Sequence, residues 1–182
     1  DDAAARACSR HAAQVNFLSG ERIQSEMFRI LELPNCVEVL THMQNYGILP
    51  FIFPGEVRFD LLRNLIAIEP QASVIRRLAA ITGYDHQILA DHWRLSGDQF
   101  KSLRVLSTNI DMREPKRVLR HMGKEHYIDI VYLSAARGNL PFSVEDALDI
   151  ISKWRIPKFP LIGHDVIALG VTEGRQIGAI LT

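Results

Sequence analysis

Apolar residues recur along most of this chain three or four positions apart, the spacing that places them on one face of an α-helix. Ile23, Met27 and Leu31 fall on one such face, for example, with polar and charged residues between them. No segment sustains the alternation of apolar and polar residues that a half-buried β-strand requires. The pattern predicts an all-α fold, an elongated multi-helix array of about eight to ten helices.

Capping residues mark several of the predicted helix boundaries. Ser19 is placed to cap a helix that ends near Pro34. Asn35 and Glu38 have the spacing of a capping box, which predicts the start of the next helix. Gly47 can close that helix in the left-handed conformation.

The middle of the chain carries further helix signals, separated by short breaks. Residues 51–53 form an apolar loop bracketed by prolines, and this loop is expected to fill a gap between helices. Beyond it the pattern predicts helices over about 55–67, 72–82, 86–94 and 97–107. A further helix is predicted to begin at about 114, to break at Gly123 and to resume after it. The next predicted helix is capped by Ser143 with Asp146 and ends near Trp154.

The last part of the chain is rich in glycine. The run Arg155–Pro160 is predicted to be a proline-containing hinge, after which a short helix, a tight turn and a second helix opening at Gly174 resemble a helix-hairpin-helix. Free backbone N–H groups at a helix start can hold a phosphate oxygen, so Gly170, Gly174 and Arg175 are candidate RNA-binding residues. The alternative is that these glycines, together with Gly178, only allow helices to pack closely.

The net charge of the chain indicates no particular partner, but the positively charged residues are unevenly distributed. The 21 Lys and Arg balance 21 Asp and Glu, so no field from the whole molecule draws it to nucleic acid or to an anionic membrane. Positive charge concentrates locally, and five residues could form a cationic face that follows a phosphate backbone: Arg113, Lys116, Arg117, Arg120 and Lys124. Positions 113, 117, 120 and 124 recur at helical spacing. An ordinary solvated helix face is the alternative.

The sequence lacks the residues that several kinds of metal-binding and catalytic site require. Cys8 and Cys36 are far apart and lack metal-ligand spacing, so neither a disulfide framework nor a zinc site is expected, and both are predicted to be buried or half-buried thiols. His164–Asp165 invites comparison with metal-dependent phosphohydrolases of the HD type, but the other histidines supply no matching ligand series. The sequence holds no Asp-x-Asp, Gly-Ser turn, Walker loop or nucleophile elbow, so no catalytic or metal-binding residue is predicted.

No apolar run is long enough to cross a bilayer, and the first residues are unlike a signal peptide. The chain is therefore predicted to be cytoplasmic and not to contact a membrane. Both ends look like cuts, which suggests a part of a larger protein.

Three segments resemble one family of enzymes. Ser19–Met27 is similar to the Ser-x-Glu-Arg-Ile-x-x-Glu-Leu opening of a neck helix in bacterial tRNA nucleotidyltransferases and poly(A) polymerases. Arg117–Gly123 is similar to a basic body segment of those enzymes, and Gly163–Gly178 looks like their C-terminal signature. The segments occur in the family's order, so the resemblance covers essentially the whole chain.

The resemblance implies a division into neck helices over 1–48, a helical body over 49–154 and a tail over 155–182. In this family a head binds ATP and CTP, while the body and tail hold the acceptor arm and elbow of tRNA. The neck residues matching Glu21, Arg22 and Glu26 support the nucleotide-selecting pocket there.

The head is missing from this chain, so the intact nucleotidyltransferase, and not the chain alone, is expected to add CCA to tRNA with magnesium. No cofactor is expected in the chain itself. A poly(A) polymerase fragment of the same superfamily stays an alternative. So does a helical scaffold that binds proteins through an exposed 51–53 loop.

Overall fold

A computed structural model describes residues 2–83, 86–155, 163–171 and 174–180. Over these ranges the chain is helical and contains no strand, apart from an isolated bridge between Val57 and Thr82. The predicted all-α class is therefore confirmed. The chain forms two compact units, residues 1–151 and residues 152–182. The division into neck, body and tail stays a prediction.

The described residues form eleven α-helices and two short 3₁₀ helices. The α-helices are α1 Asp2–Arg10, α2 Gly20–Glu32, α3 Cys36–Asn45, α4 Phe59–Ile68, α5 Val74–Ile81, α6 His86–Trp93, α7 Gly97–Ser107, α8 Pro115–Ala136, α9 Val144–Lys153, α10 Gly163–Ala168 and α11 Gly174–Ile180. Short 3₁₀ helices occupy Ala12–Phe17 and Leu49–Phe51. The helix expected from residue 55 begins later, at Phe59, because the Arg58 N–H donates to the Ile81 carbonyl at 2.7 Å and holds the preceding residues beside the end of α5.

The helix caps are partly as predicted. The Ser19 hydroxyl accepts a hydrogen bond from the Arg22 N–H at 3.3 Å, which confirms the cap of α2. The capping box expected at Asn35 is wrong, because its backbone has φ −97° and ψ 23° instead of the extended conformation of a capping residue. Its carbonyl, not its side chain, accepts from the Glu38 N–H. Gly47 has φ 68° and closes α3 as expected.

The long helix α8 contains the break predicted at its glycine. Pro115 occupies its first turn, and Gly123 has φ 75° and ψ 170°, outside the helical region. The next predicted cap is also confirmed, because the Ser143 hydroxyl accepts from the Asp146 N–H at 3.0 Å. In the predicted hinge, residues 156–160 lie outside the described ranges.

The apolar 51–53 loop fills a gap in the larger unit, as predicted. Ile52 and Phe53 are 7% and 2% exposed, and the Phe53 ring centroid lies 5.0 Å from that of Trp93. The Trp93 indole N–H donates to the Ile52 carbonyl at 2.9 Å. The loop is therefore core, and the expectation that it is exposed for protein partners is wrong.

The two thiols have opposite environments. Cys36 is buried, and burial raises the pKa of its thiol, so it stays protonated at neutral pH. Cys8 is exposed, which corrects its predicted burial: it lines an open cavity formed by residues of α1 and α3. Across the described residues, no group of three or more His, Cys, Asp or Glu could hold a metal ion. None of the helices in those ranges has the length and apolar character needed to cross a membrane.

Candidate nucleic-acid interface

The basic residues predicted to bind RNA are exposed on α8 or beside it. Lys116, Arg117 and Arg120 lie in its first half, and all are exposed. Residues three and four positions apart are neighbours on a helix surface, so Arg120 is adjacent to both of the others. Val118 and Leu119 are buried and hold this half of α8 against the core. The cations are thus presented to solvent by a fixed helix.

The helical face does not extend to the other two predicted cations. Arg113 precedes Pro115, where α8 begins, and Lys124 follows the non-helical Gly123. The regular spacing of 113, 117, 120 and 124 therefore describes a continuous helix that does not exist, and only the two central positions are related by helical geometry. Arg113 and Lys124 are exposed at the two ends of this segment.

Two of the arginines already bind carboxylates. The Arg113 side chain donates to both oxygens of Asp111, with Nε–Oδ distances of 2.8 and 3.0 Å. Hydrogen bonds from the Arg113 side chain and backbone lower the pKa of Asp111 to about 2, so this carboxylate is charged at neutral pH. Arg117 Nη1 lies 3.4 Å from Glu114 Oε2. Because both pairs are exposed and screened by water, a phosphate can replace these carboxylates at little cost.

The remaining cations differ from these two arginines. Within the described ranges, Lys116, Arg120 and Lys124 form no ion pair. A cavity of about 550 Å³ lies at the two paired arginines and is lined by Asp111, Arg113, Glu114, Arg117, Val118, His121 and Met122. Its guanidinium and apolar groups together suit a phosphate with an attached sugar or base.

The residues predicted to support the nucleotide pocket share the outer surface of α2. Glu21, Arg22 and Glu26 are exposed, while Ile23 and Met27 of the same helix are buried. Glu26 pairs at 3.4 Å with an exposed arginine one turn further along α2. The three side chains are therefore accessible for contact with another domain or molecule.

Two contacts that the sequence analysis missed fix the position of α2. A Cβ atom on Gly20 would lie 2.4 Å from the His92 carbonyl oxygen, so the start of α2 approaches the end of α6 as only glycine permits. The Gln24 amide donates at 2.9 Å to Gln99 Oε1, which also accepts from the Ser96 N–H at 2.8 Å in the capping box of α7. Gly20, the second residue of the Ser-x-Glu-Arg motif, was the sequence feature that could have predicted the first contact.

The glycines of the tail have different roles. Gly170 has φ 91°, and its N–H donates to the Ile167 carbonyl while the Val171 N–H donates to the Val166 carbonyl. This is a Schellman motif, which explains a glycine there by helix closure alone. Gly174 opens α11, and no atom of the described residues lies within 4 Å of a Cβ built on it. Its neighbour Arg175 is exposed.

Residues 1–57 match a known family model. It is described as "Probable RNA and SrmB- binding site of polymerase A". A curated protein from Danio rerio, "CCA tRNA nucleotidyltransferase 1, mitochondrial", is 53% identical over 34 residues, which are 19% of this chain and 8% of that protein. The chain thus matches only a small part of the relative's length. The two matches support the predicted family and a nucleotidyltransferase RNA-binding region.

Proposed function

We propose that this chain is the RNA-positioning region of a tRNA nucleotidyltransferase whose intact form adds CCA to the tRNA 3′ end from CTP and ATP. The observation that carries the proposal is the match of residues 1–57 to the family model described as "Probable RNA and SrmB- binding site of polymerase A". The exposed cations of α8 add a second surface suited to a phosphate backbone. The partner is tRNA, and the place of action is the cytoplasm.

Each predicted site then has a separate role. Glu21, Arg22 and Glu26 support the nucleotide pocket of the head from the exposed side of α2. The cations from Arg113 to Lys124 contact phosphates of the RNA. In the tail, Gly174 and Arg175 contact a further phosphate, and Gly170 closes the helix before them.

The chain does not fit the magnesium ions that nucleotidyl transfer uses. Two-metal transfer requires paired carboxylates, and the sequence contains no Asp-x-Asp. Among the described residues no carboxylate cluster could hold a metal. Magnesium, ATP and CTP therefore belong to the head, and no step of the transfer is assigned to this chain.

A poly(A) polymerase is the second candidate, since the matching family model is described by polymerase A. The intact parent protein distinguishes the two. Offered a tRNA that ends before CCA, a CCA-adding enzyme incorporates both CMP and AMP and then stops. A poly(A) polymerase extends the RNA with AMP alone.

Replacing Arg117 and Arg120 with alanine is expected to weaken tRNA binding by similar factors for different tRNA species. Each lost phosphate contact should also flatten the slope of log affinity against log salt by about 0.7–0.9. Arg120 should account for more of the loss than Arg117, whose side chain must first leave Glu114. Titrations of labelled tRNA at several salt concentrations measure both quantities.

Arg63→Ala is the matched control, because Arg63 is also an exposed arginine that pairs with an acid three residues before it, Asp60. Its affinity and salt slope should equal those of the unmodified chain. If the double variant behaves like this control, the α8 cations are an ordinary solvated surface.

Gly174→Val is expected to weaken tRNA binding without lowering the melting temperature, because the added side chain would obstruct a phosphate at the start of α11. Gly97→Val is its control. Gly97 also opens a helix, and no described atom lies within 4 Å of a Cβ at either position. Equal tRNA affinities of the two variants would remove Gly174 from the RNA-binding residues.

The chain alone is expected to incorporate no CMP or AMP into tRNA at any magnesium concentration, because it lacks the carboxylates that hold the metals. The assay follows labelled CTP and ATP into a tRNA that lacks CCA, with a complete nucleotidyltransferase as positive control. Templated CCA addition by this chain would contradict the assignment of catalysis to the head.

A further inference from the structure

The larger unit contains a buried cluster of charged residues that none of the proposed sites uses. Arg76 and Arg77 are each 4% exposed, and the Glu69 side chain between them is 1% exposed. Asp129 of α8 completes the cluster, with its side chain 21% exposed. Two positive and two negative charges thus balance inside the protein.

Arg77 connects the cluster to the end of α2. Its Nε donates to Glu69 Oε1, and its Nη1 donates to the carbonyls of Leu31 and Leu33 at 2.6 and 2.7 Å. Leu31 lies in the last turn of α2, and Leu33 is its C-cap. Carbonyls at a helix C-terminus lack partners within the helix, and a positive charge is favourable beside them. One guanidinium therefore fixes where α2 ends.

Arg76 connects the same glutamate to α8. Its Nε and Nη2 donate to Glu69 Oε2 at 2.9 and 2.6 Å, and its Nη1 donates to Asp129 Oδ1 at 2.6 Å. The guanidinium also lies 5.0 Å from the centroid of the Tyr132 ring. Asp129 and Tyr132 both belong to the half of α8 that follows Gly123. The cluster thus joins α2 and α8 through α5.

The energetics of buried charge favour a positioning role over a stabilising one. Removing charges from water costs about as much as their mutual attraction returns, so an apolar cluster of the same volume would be as stable. In keeping with this, desolvation raises the pKa of Asp129 despite the adjacent arginine. The charged cluster instead fixes the relative orientation of the groups it joins, because a planar guanidinium donates hydrogen bonds to its partners in one geometry.

We propose that Glu69, Arg76, Arg77 and Asp129 are positioning residues that hold α2 at a fixed distance from the half of α8 that follows Gly123 and begins with Lys124. This inference rests on the proposed function, in which α2 supports the nucleotide pocket and α8 binds RNA. A fixed distance between them would keep the RNA in register with the nucleotide. None of the four residues needs to contact either ligand.

The test measures the distance between spin labels on α2 and α8. Labels are attached to Ser25→Cys and Glu125→Cys, two exposed positions, in a chain whose exposed Cys8 is replaced by serine. Arg77→Lys keeps the positive charge but lacks the planar guanidinium that donates to several partners at once. The distribution of distances between the two labels should therefore broaden. Arg63→Met, at a surface ion pair, is the control and should leave the distribution narrow. A narrow distribution in Arg77→Lys would overturn the proposal.

Binding of tRNA to the same variants supplies the second measurement. Arg77→Lys should weaken binding with an unchanged salt slope, because no phosphate contact is lost. A flattened slope would mean that Arg77 itself binds phosphate, which also overturns a positioning role. The label distances need no RNA, so they still decide this proposal if the unmodified chain fails to bind tRNA and the proposed function fails.

Discussion

Replacing Trp93 with alanine is expected to lower the free energy of unfolding by about 3–5 kcal/mol. The side chain is completely buried, and its ring centroid lies 6.3 Å from that of Phe28 in α2 and 5.0 Å from that of Phe53. Its indole N–H also donates to the Ile52 carbonyl, which would lose its partner. Since a domain of this kind is stable by only about 5–15 kcal/mol, the variant should unfold at a much lower denaturant concentration.

Two further variants separate the causes of that loss. Trp93→Phe keeps most of the ring but removes the indole donor, so its cost should be smaller, about 1–3 kcal/mol. Ile88→Ala changes an apolar residue of the same helix that is 53% exposed, and its effect should stay within about 0.5 kcal/mol. A Trp93→Ala variant no less stable than Ile88→Ala would show that Trp93 does not join α2 to the 51–53 loop.

The sequence predicted those features of the fold that depend on neighbouring residues. The helical period of Ile23, Met27 and Leu31 predicted the buried face of α2, and all three are buried. The helix breaks at Gly47 and Gly123 were also correct, because a left-handed glycine acts on its own turn. These signals need no information about distant parts of the chain.

Features that depend on distant residues could not be predicted in this way. Arg76 and Arg77 look like surface residues in the sequence, yet their partners Asp129 and Leu31 lie 53 and 46 positions away. Periodicity does not show which charged residues are buried, because pairing decides it. The capping box expected at Asn35 failed for a related reason, since spacing alone does not fix the backbone conformation that a cap requires.

The candidate site was predictable only as a set of residues. The sequence located the cations between Arg113 and Lys124, but it could not show that Asp111 and Glu114 already bind two of them. That difference matters for function, since a paired arginine must exchange one anion for another while Arg120 is available directly. Residue type is local information, and charge pairing depends on the folded surface.

Gly20→Ala is expected to destabilise the chain, although alanine is the better helix former. A Cβ at this position would lie 2.4 Å from the His92 carbonyl oxygen and 3.2 Å from the Trp93 carbonyl carbon, which are backbone atoms and cannot rotate away. Such overpacking typically costs about 1–3 kcal/mol, more than the roughly 0.5–1 kcal/mol that alanine gains over glycine in a helix. Chemical denaturation measures the difference.

Gly97→Ala is expected not to destabilise the chain. Gly97 is the first residue of α7, as Gly20 is of α2, but no described atom lies within 4 Å of its Cβ position. Alanine there should therefore be neutral or stabilising. The comparison isolates the close approach of α2 to α6 from helix propensity, because both substitutions change the same helical position. If Gly20→Ala were as stable as Gly97→Ala, α2 would have room to move away from α6. The contact at Gly20 would then not fix the helix that carries Glu21, Arg22 and Glu26.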